Sequence, residues 1–459
     1  MRNGIFYKPS INDLEAQIFG IVTKSTPQKN TGILTTCTRR EWAILKNKLE
    51  QISSTNGSLL KLIQNAAFVV NLDQAGDDSP IEQFLHGGKF ATNRWFDCTL
   101  QLIINDDGDF GICYEHSVCE GIPVVQLAAE IKRAIIQNPT KEKYYYGNSP
   151  LEPLSFRTSH ELDLLVSRQI ENHRVQQERL DLNVFKFEKF GKTFIKKQNM
   201  SPDAFLQVAL QCAYHRIYCR LPCSYESGSI RRFRDGRVDN IRASTIPALQ
   251  LCRHLSEFYS RGDCKSSLST NSMDYLRKAV RFQTSITQQA ITGKGLDNHL
   301  LALLNTLKEV SLPIPELFTD NSFKTFNHFE LSTSQIPTIS RDIYMCYGPV
   351  VPDGYGCSYN PQKDCIVFCI SSYKDCDATS SERFRRALAE SLETLMDICN
   401  QFNSKRSNSA DKEDIRKDVF GKTPRRVRCN SQVDDLDQLA LETRRSTFKR
   451  AQTEDKFRL

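Results

Sequence analysis

The 459-residue chain contains no run of eighteen apolar residues, which argues against a membrane-spanning helix. It has neither Gly-x4-Gly-Lys-Ser/Thr nor Gly-x-Gly-x-x-Gly, so neither a P-loop nor a dinucleotide fingerprint supports nucleotide chemistry. No serine stands in a Gly-x-Ser-x-Gly elbow, which leaves a serine hydrolase unsupported. The N-terminus offers only Ile5, Phe6 and Tyr7 before Lys8, too little for a signal-peptide core. There are 16 cysteines but no Cys-x-x-Cys; the nearest spacings are Cys219/Cys223 and Cys365/Cys369. A zinc site, or any metal, is therefore not expected. The thiols read as free, mostly buried cysteines of a reducing compartment.

What is present is a folding composition. Hydrophobic residues make up 39% and charged residues 25%, enough apolar material for a sizeable core in a chain long enough for two domains and a tail. The net charge of +7 is concentrated at one end, because residues 405–459 hold 15 Lys/Arg against 10 Asp/Glu. The folded body is close to neutral, so charge gives no reason to expect nucleic acid as a partner.

No internal repeat is evident, and the chain reads in three parts: 1–157, 158–404 and 405–459. In the first, TRREWAILKNKLEQI (38–52) has helical spacing and AFVVNLD (67–73) reads as a strand. TLQLIINDDGDFGICYEH (99–116) predicts two strands about an Asp-Gly turn. The polar, proline-containing stretch 138–156 suggests a linker or long loop. In the second, Ser201 and Pro202 mark a helix start. YMCYGPVV (344–351) and CIVFCISSY (365–373) read as strands, and Phe384, Leu388, Leu392, Leu395 and Phe402 share a helical face. Such alternation predicts an α/β (mixed α+β) architecture. The third part is charged, with sparse apolar residues and no period, and is expected to be disordered. Its RRST (444–447) resembles a basic-directed phosphorylation site, a match also common by chance.

Three features carry possible chemistry. His116 ends a predicted strand before a Gly-Pro turn, where an imidazole of ordinary pKa about 6.5 could accept a proton, with Glu120 four residues on. A lone histidine in this setting is more often structural. Lys192, Lys196 and Lys197 precede the helix start at Ser201 and suggest a phosphate site, or equally a solvated basic loop. Asp203, in the first helical turn, is ordinarily a capping residue. The hydroxyls of ELSTSQIP (330–337) could stabilise an oxyanion or line a polar strand edge.

The order of these motifs is more telling than any one of them. NRWFD (93–97), EHSVCEG (115–121), FGKTFIKKQNMSPDAF (190–205), YESGSIRRFRDGRVDNIR (225–242), ELSTSQ (330–335) and YGPVVPDGYGCSYNP (347–361) follow in sequence. The chain resembles the choline/carnitine acyltransferase family over roughly residues 11–403. The resemblance implies two domains of the coenzyme A-dependent, chloramphenicol acetyltransferase-like fold with the active site in a tunnel between them. The histidine domain would be 1–157 and the coenzyme A/choline domain 158–404.

By the same resemblance His116 is the general base, with Glu120 beside it, and Ser334 the oxyanion hydroxyl. Coenzyme A is expected at Lys192, Lys196, Lys197, Ser201, Asp203, Ser229, Arg231 and Gln335. The acceptor alcohol is expected at Tyr225, Val238, Asn298, Ser332 and Tyr347. The family chain ordinarily begins well upstream of residue 1, so part of the first domain is expected to be missing. The partners implied are acetyl-CoA and choline, with the chain a monomer in the cytoplasm of nerve terminals and without integral membrane contact.

The resemblance also bears on the acceptor. Carnitine carries a carboxylate, which is costly to bury unpaired. Carnitine enzymes answer it with an arginine in the motif that reads GLDNHLL (295–301) here, together with a threonine and a tyrosine. This chain has Asn298, Val238 and Tyr225 at those positions. Only the tyrosine is kept, and choline is the expected acceptor.

Overall fold

The computed structural model describes residues 11–24, 29–74, 76, 79–137, 152–260, 270–336 and 340–413. The N-terminal part begins with α1 (Ile11–Lys24) and α2 (Arg39–Ile52). Thr38 and Glu41 explain where α2 starts: the Thr38 hydroxyl accepts from Glu41 N at 3.3 Å and Glu41 Oε2 accepts from Thr38 N at 3.1 Å, a reciprocal capping box. Next come α3 (Ser54–Gln64), β1 (Val69–Asp73), α4 (Pro80–His86), β2 (Leu100–Asn105) and β3 (Phe110–Tyr114). α5 (Gly121–Gln137) and α6 (His160–Arg179) complete this part. Its sheet has the order β1-β2-β3, with β1 parallel to β2 and β3 antiparallel.

The NRWFD motif works as an internal clamp. Arg94 meets Asp73 through both nitrogens, Nη1–Oδ1 at 3.0 Å and Nη2–Oδ2 at 2.6 Å, with the side chains 1% and 0% exposed. Nη2 also donates to Gln83 O at 3.1 Å, and Asn93 Nδ2 to Asp73 Oδ1 at 2.9 Å. Burying two charges is tolerable only with such bidentate pairing and extra donors. Trp95 lies edge-on to Trp42 and stacks on Phe156, while Trp42 Nε1 donates to Asp97 Oδ2 at 2.6 Å. β1, α4 and the turn before β2 are thereby fixed around one core.

The C-terminal part contains β4 (Leu180–Phe187), α7 (Lys192–Lys197), α8 (Pro202–Tyr218), β5 (Ser224–Ser229) and β6 (Val238–Asn240). α9 (Ile246–Ser260), α10 (Thr270–Gln289), α11 (Asp297–Glu309), α12 (Glu316–Thr319) and α13 (Asn321–Phe326) follow. β7 (Leu331–Gln335), β8 (Tyr355–Pro361), β9 (Ile366–Tyr373) and α14 (Ser381–Glu413) close it. The sheet order is β4-β9-β8-β7-β5-β6, with β5, β7 and β8 mutually parallel. α8, α9, α10 and α14 share one apolar core with it, and Phe384, Leu388, Leu392 and Leu395 of the expected α14 face are wholly buried there. The two sheets with interspersed helices make the chain mixed α/β, as the sequence pattern suggested.

Several local expectations differ. Residues 344–351 form no strand, because Gly348, Pro349 and Pro352 interrupt any ladder. The segment lies instead as an irregular strap, with Met345 O accepting from Ser358 Oγ and Tyr347 O from Ser371 Oγ. The lysine loop is the short helix α7. Its N-cap Gly191 is obligatory, since a Cβ there would come within 2.5 Å of Gln362 O and Cys365 N. α14 continues past residue 404. Cys346 and Cys369 form a disulfide, the one among the described residues, where free thiols were expected; the strap brings Cys346 over β9. Residues 138–151 of the expected linker and the RRST motif lie outside the described residues.

Candidate active site

His116 occupies the turn between β3 and α5. Glu115 fixes that turn: its N–H donates to Thr99 O at 3.1 Å, and its carboxylate accepts from Ser117 N at 3.0 Å and pairs with Arg39. The imidazole is 63% exposed, with the Tyr114 ring 5.6 Å away. Burial pushes the Tyr114 phenol up to about 12, so it stays a neutral neighbour. Glu120 Oε2 lies 3.8 Å from His116 Nε2.

Arg237, a residue to which the motif reading assigned no role, organises this turn from the other side. Its Nη2 donates to His116 O at 2.7 Å and lies 3.4 Å from His116 Nδ1. Nη1 donates to Ser117 O at 2.9 Å, and Nε to Glu120 Oε1 at 2.6 Å. One planar guanidinium thus holds two carbonyls and one carboxylate, a geometry only arginine offers. Arg237 belongs to the β5–β6 hairpin, so it joins the histidine turn to the second sheet. The available signal was position: it stands beside Val238, already marked as a specificity residue.

The expected acceptor residues fall in two neighbouring groups. Tyr225 pairs with Ser332 in the β5–β7 register, and Tyr347 Oη donates to Ser332 O at 3.0 Å. Burial holds the phenols of Tyr225 and Tyr347 above the ordinary tyrosine value. Asn298 and Val238 touch directly, Asn298 Nδ2 donating to Val238 O at 2.8 Å. Asn298 N also donates to Asp239 Oδ1 at 3.1 Å. Gly295 permits this approach, for a Cβ there would lie 2.0 Å from Asp239 Oδ2. Neither 238 nor 298 carries charge, and the nearby Arg242 is paired with Asp297.

The expected coenzyme A residues are spread along the sheet's ends and α7. Lys192 and Lys196, four apart on α7, share one side of the helix, and Lys197 is exposed. Among the described residues no carboxylate pairs with Lys192 or Lys197. That turn suits an anion of phosphate type. Ser201 is occupied as the α8 N-cap, accepting from Ala204 N at 3.4 Å. Asp203 turns its carboxyl inward, where Oδ1 accepts from Tyr359 Oη at 2.5 Å. Ser229 and Gln335 are exposed at the ends of β5 and β7, and Arg231 is exposed in the hairpin turn. Ser334 is half-buried on β7 opposite Ser358.

Among the described residues, no group of three or more His, Cys, Asp or Glu side chains could hold a metal ion. No helix of those residues is long and apolar enough to cross a membrane.

Comparison with known proteins agrees with the order of motifs. The Choline/Carnitine o-acyltransferase family model matches residues 3–390. The chain is 39% identical to choline O-acetyltransferase of Sus scrofa over 409 residues, covering 86% of this chain and 63% of that protein. It is 40% identical to the Homo sapiens choline O-acetyltransferase, covering 86% and 54%. To carnitine O-acetyltransferase of Columba livia it is 38% identical, covering 80% and 59%. The chain thus spans somewhat over half the length of the relatives it matches. On the family model and on these identities, the chain belongs to the choline/carnitine O-acyltransferase family.

Proposed function

We propose that this chain transfers acetyl from acetyl-CoA to the hydroxyl of choline. His116 takes the hydroxyl proton, and the oxygen attacks the thioester carbonyl directly. The Ser334 hydroxyl donates to the oxyanion of the tetrahedral intermediate. The carbon–sulfur bond then breaks, and the departing thiolate takes the proton from His116. General-base assistance is worth typically about 10²–10⁴-fold and one oxyanion donor about 10²–10³-fold. Lys192 and Lys196 hold the coenzyme's phosphate, with Lys197, Ser229, Arg231 and Gln335 at its side. Tyr225, Ser332 and Tyr347 face the quaternary ammonium, where cation–π contact contributes about 0.5–2 kcal/mol.

The observation that carries the choice of acceptor is the direct contact of Asn298 with Val238. Two uncharged residues fill the place where a carnitine carboxylate would need a cation, and Asn298 spends its amide on a backbone carbonyl. The exposure of His116 favours a second reading, a chain that binds coenzyme A without turning it over.

One experiment separates the two. Labelled acetyl-CoA is offered with choline and, separately, with carnitine, for wild type beside His116→Ala. Choline-dependent product that falls by at least about 10²-fold in the variant supports the transferase. Coenzyme A binding without product from either alcohol supports the second reading. Equal product from wild type and variant removes His116 from the reaction.

A further inference from the structure

Two carboxylic acids lie side by side in the core of the second sheet. Glu226 of β5 is 4% exposed, and its Oε2 accepts from Gln283 Nε2 of α10 at 2.6 Å. Asp203, in the first turn of α8, accepts from Tyr359 Oη of β8 at 2.5 Å. The two carboxyls are hydrogen-bonded to each other. Around them, Gln207 Nε2 donates to Tyr359 Oη at 2.9 Å and to Thr333 Oγ1 at 3.0 Å. Thr333 Oγ1 donates in turn to Tyr225 O at 2.8 Å. Among the described residues no lysine, arginine or histidine is bonded to either acid, and Tyr359 is the one further titratable group in contact with the pair.

A hydrogen bond between two carboxyls requires a proton on one of them, and two carboxylates in contact without a counter-charge, one on buried Glu226 and one on half-buried Asp203, are not both ionised at neutral pH. Burial, and then the Asp203 charge, push Glu226 well above the ordinary glutamate range. Burial also raises Asp203, but the Tyr359 bond opposes it. The pair therefore holds one proton between them.

The pair sits between the two halves of the coenzyme side. Asp203 opens α8, close behind the Lys192–Lys197 helix, while Glu226 lies opposite Thr333, the residue between Ser332 and Ser334. We propose that Glu226 is a positioning residue. The proton its carboxyl shares with Asp203 fastens the start of α8 and the lysine helix before it to strands β5 and β7, so that coenzyme A affinity depends on a proton held between the two acids. This rests on the coenzyme A reading of Lys192 and Lys196.

The test is equilibrium binding of coenzyme A to the full chain between pH 6 and 9.5, for wild type, Glu226→Gln and Asp203→Asn. Ionisation of the ligand is common to all three, so ratios of affinity isolate the pair. Wild type should lose affinity relative to Glu226→Gln as pH rises, by up to about tenfold per pH unit. The glutamine keeps a donor toward Asp203 and has no proton to lose. If Glu226→Gln does not fold, Asp203→Asn serves instead: its amide can donate to an ionised Glu226, and its profile should also be flat.

Urea unfolding across the same range reads the proton without the ligand. The folded pair keeps its proton to higher pH than the unfolded chain does. Its contribution is complete below the unfolded glutamate value and is lost as pH rises toward the folded one. Parallel stability profiles for wild type and variant would overturn the shared proton. Parallel affinity profiles with a divergent stability profile would overturn its coupling to the ligand alone. Wild type that fails to bind coenzyme A at pH 7 would overturn both the transferase reading and this one.

Discussion

Arg237→Gln is the most informative perturbation of the proposed site, because the residue holds the histidine turn without belonging to it. The substitution removes a charge-assisted bond to Glu120 and two to the carbonyls of His116 and Ser117. Each such bond would contribute about 1.5–3 kcal/mol if fully buried. Arg237 is 46% exposed, however, and solvent screening should leave a loss of stability of only about 1 kcal/mol. Turnover should suffer more, since a displaced catalytic group of about 1 Å costs about 10²-fold, or roughly 2.7 kcal/mol. Steady-state rates with acetyl-CoA and choline, run beside a melting curve, separate the two effects. The same substitution in a His116→Ala background then tests the route of action. A residue acting through the histidine has nothing left to lose there, so its effect should vanish. An undiminished hundredfold loss in the double variant, or no loss in the single one, would refute the clamp.

Two further outcomes are expected. Arg94→Met alone leaves Asp73 buried without its partner and should destabilise the chain by about 3–5 kcal/mol in urea unfolding, whereas Arg94→Met with Asp73→Asn should recover much of that loss. Val238→Thr combined with Asn298→Arg should raise kcat/KM for carnitine relative to choline by at least about tenfold, since a bidentate partner for a carboxylate replaces an amide bound to a carbonyl. An unchanged ratio counts against the acceptor pocket.

Signals that live in a few consecutive residues were legible in the sequence. The helical spacing of 38–52 marks α2, and Ser201 with Pro202 marks the start of α8, because the donors a helix leaves unpaired are satisfied locally. The Asp-Gly turn gives β2 and β3 for the same reason. Where partners come from far away the reading failed or stayed mute. The segment 344–351 has strand composition but is held by the hydroxyls of Ser358 and Ser371, which belong to other strands. The disulfide of Cys346 needs β9 beneath the strap. Asp203 looks like a surface cap or a ligand until Glu226 and Tyr359 close on it, and no local pattern announces that an acid at 203 will share a proton with one at 226.

The geometry of the hairpin has a consequence for how specificity and rate are linked. Arg237 and Val238 are consecutive residues, one gripping the histidine turn and the other presenting its carbonyl to Asn298. A change that repositions Val238 to admit a different alcohol also moves the peptide that carries Arg237. Remodelling the acceptor pocket should therefore lower the rate with both alcohols even when the ratio between them shifts as intended. The ratio reports the charge and shape of the pocket, and the common loss reports strain passed to the base through one peptide bond. Measuring both in the Val238→Thr, Asn298→Arg chain distinguishes a pocket that is independent of the base from one built on the same hairpin, and the contacts of Arg237 argue for the second.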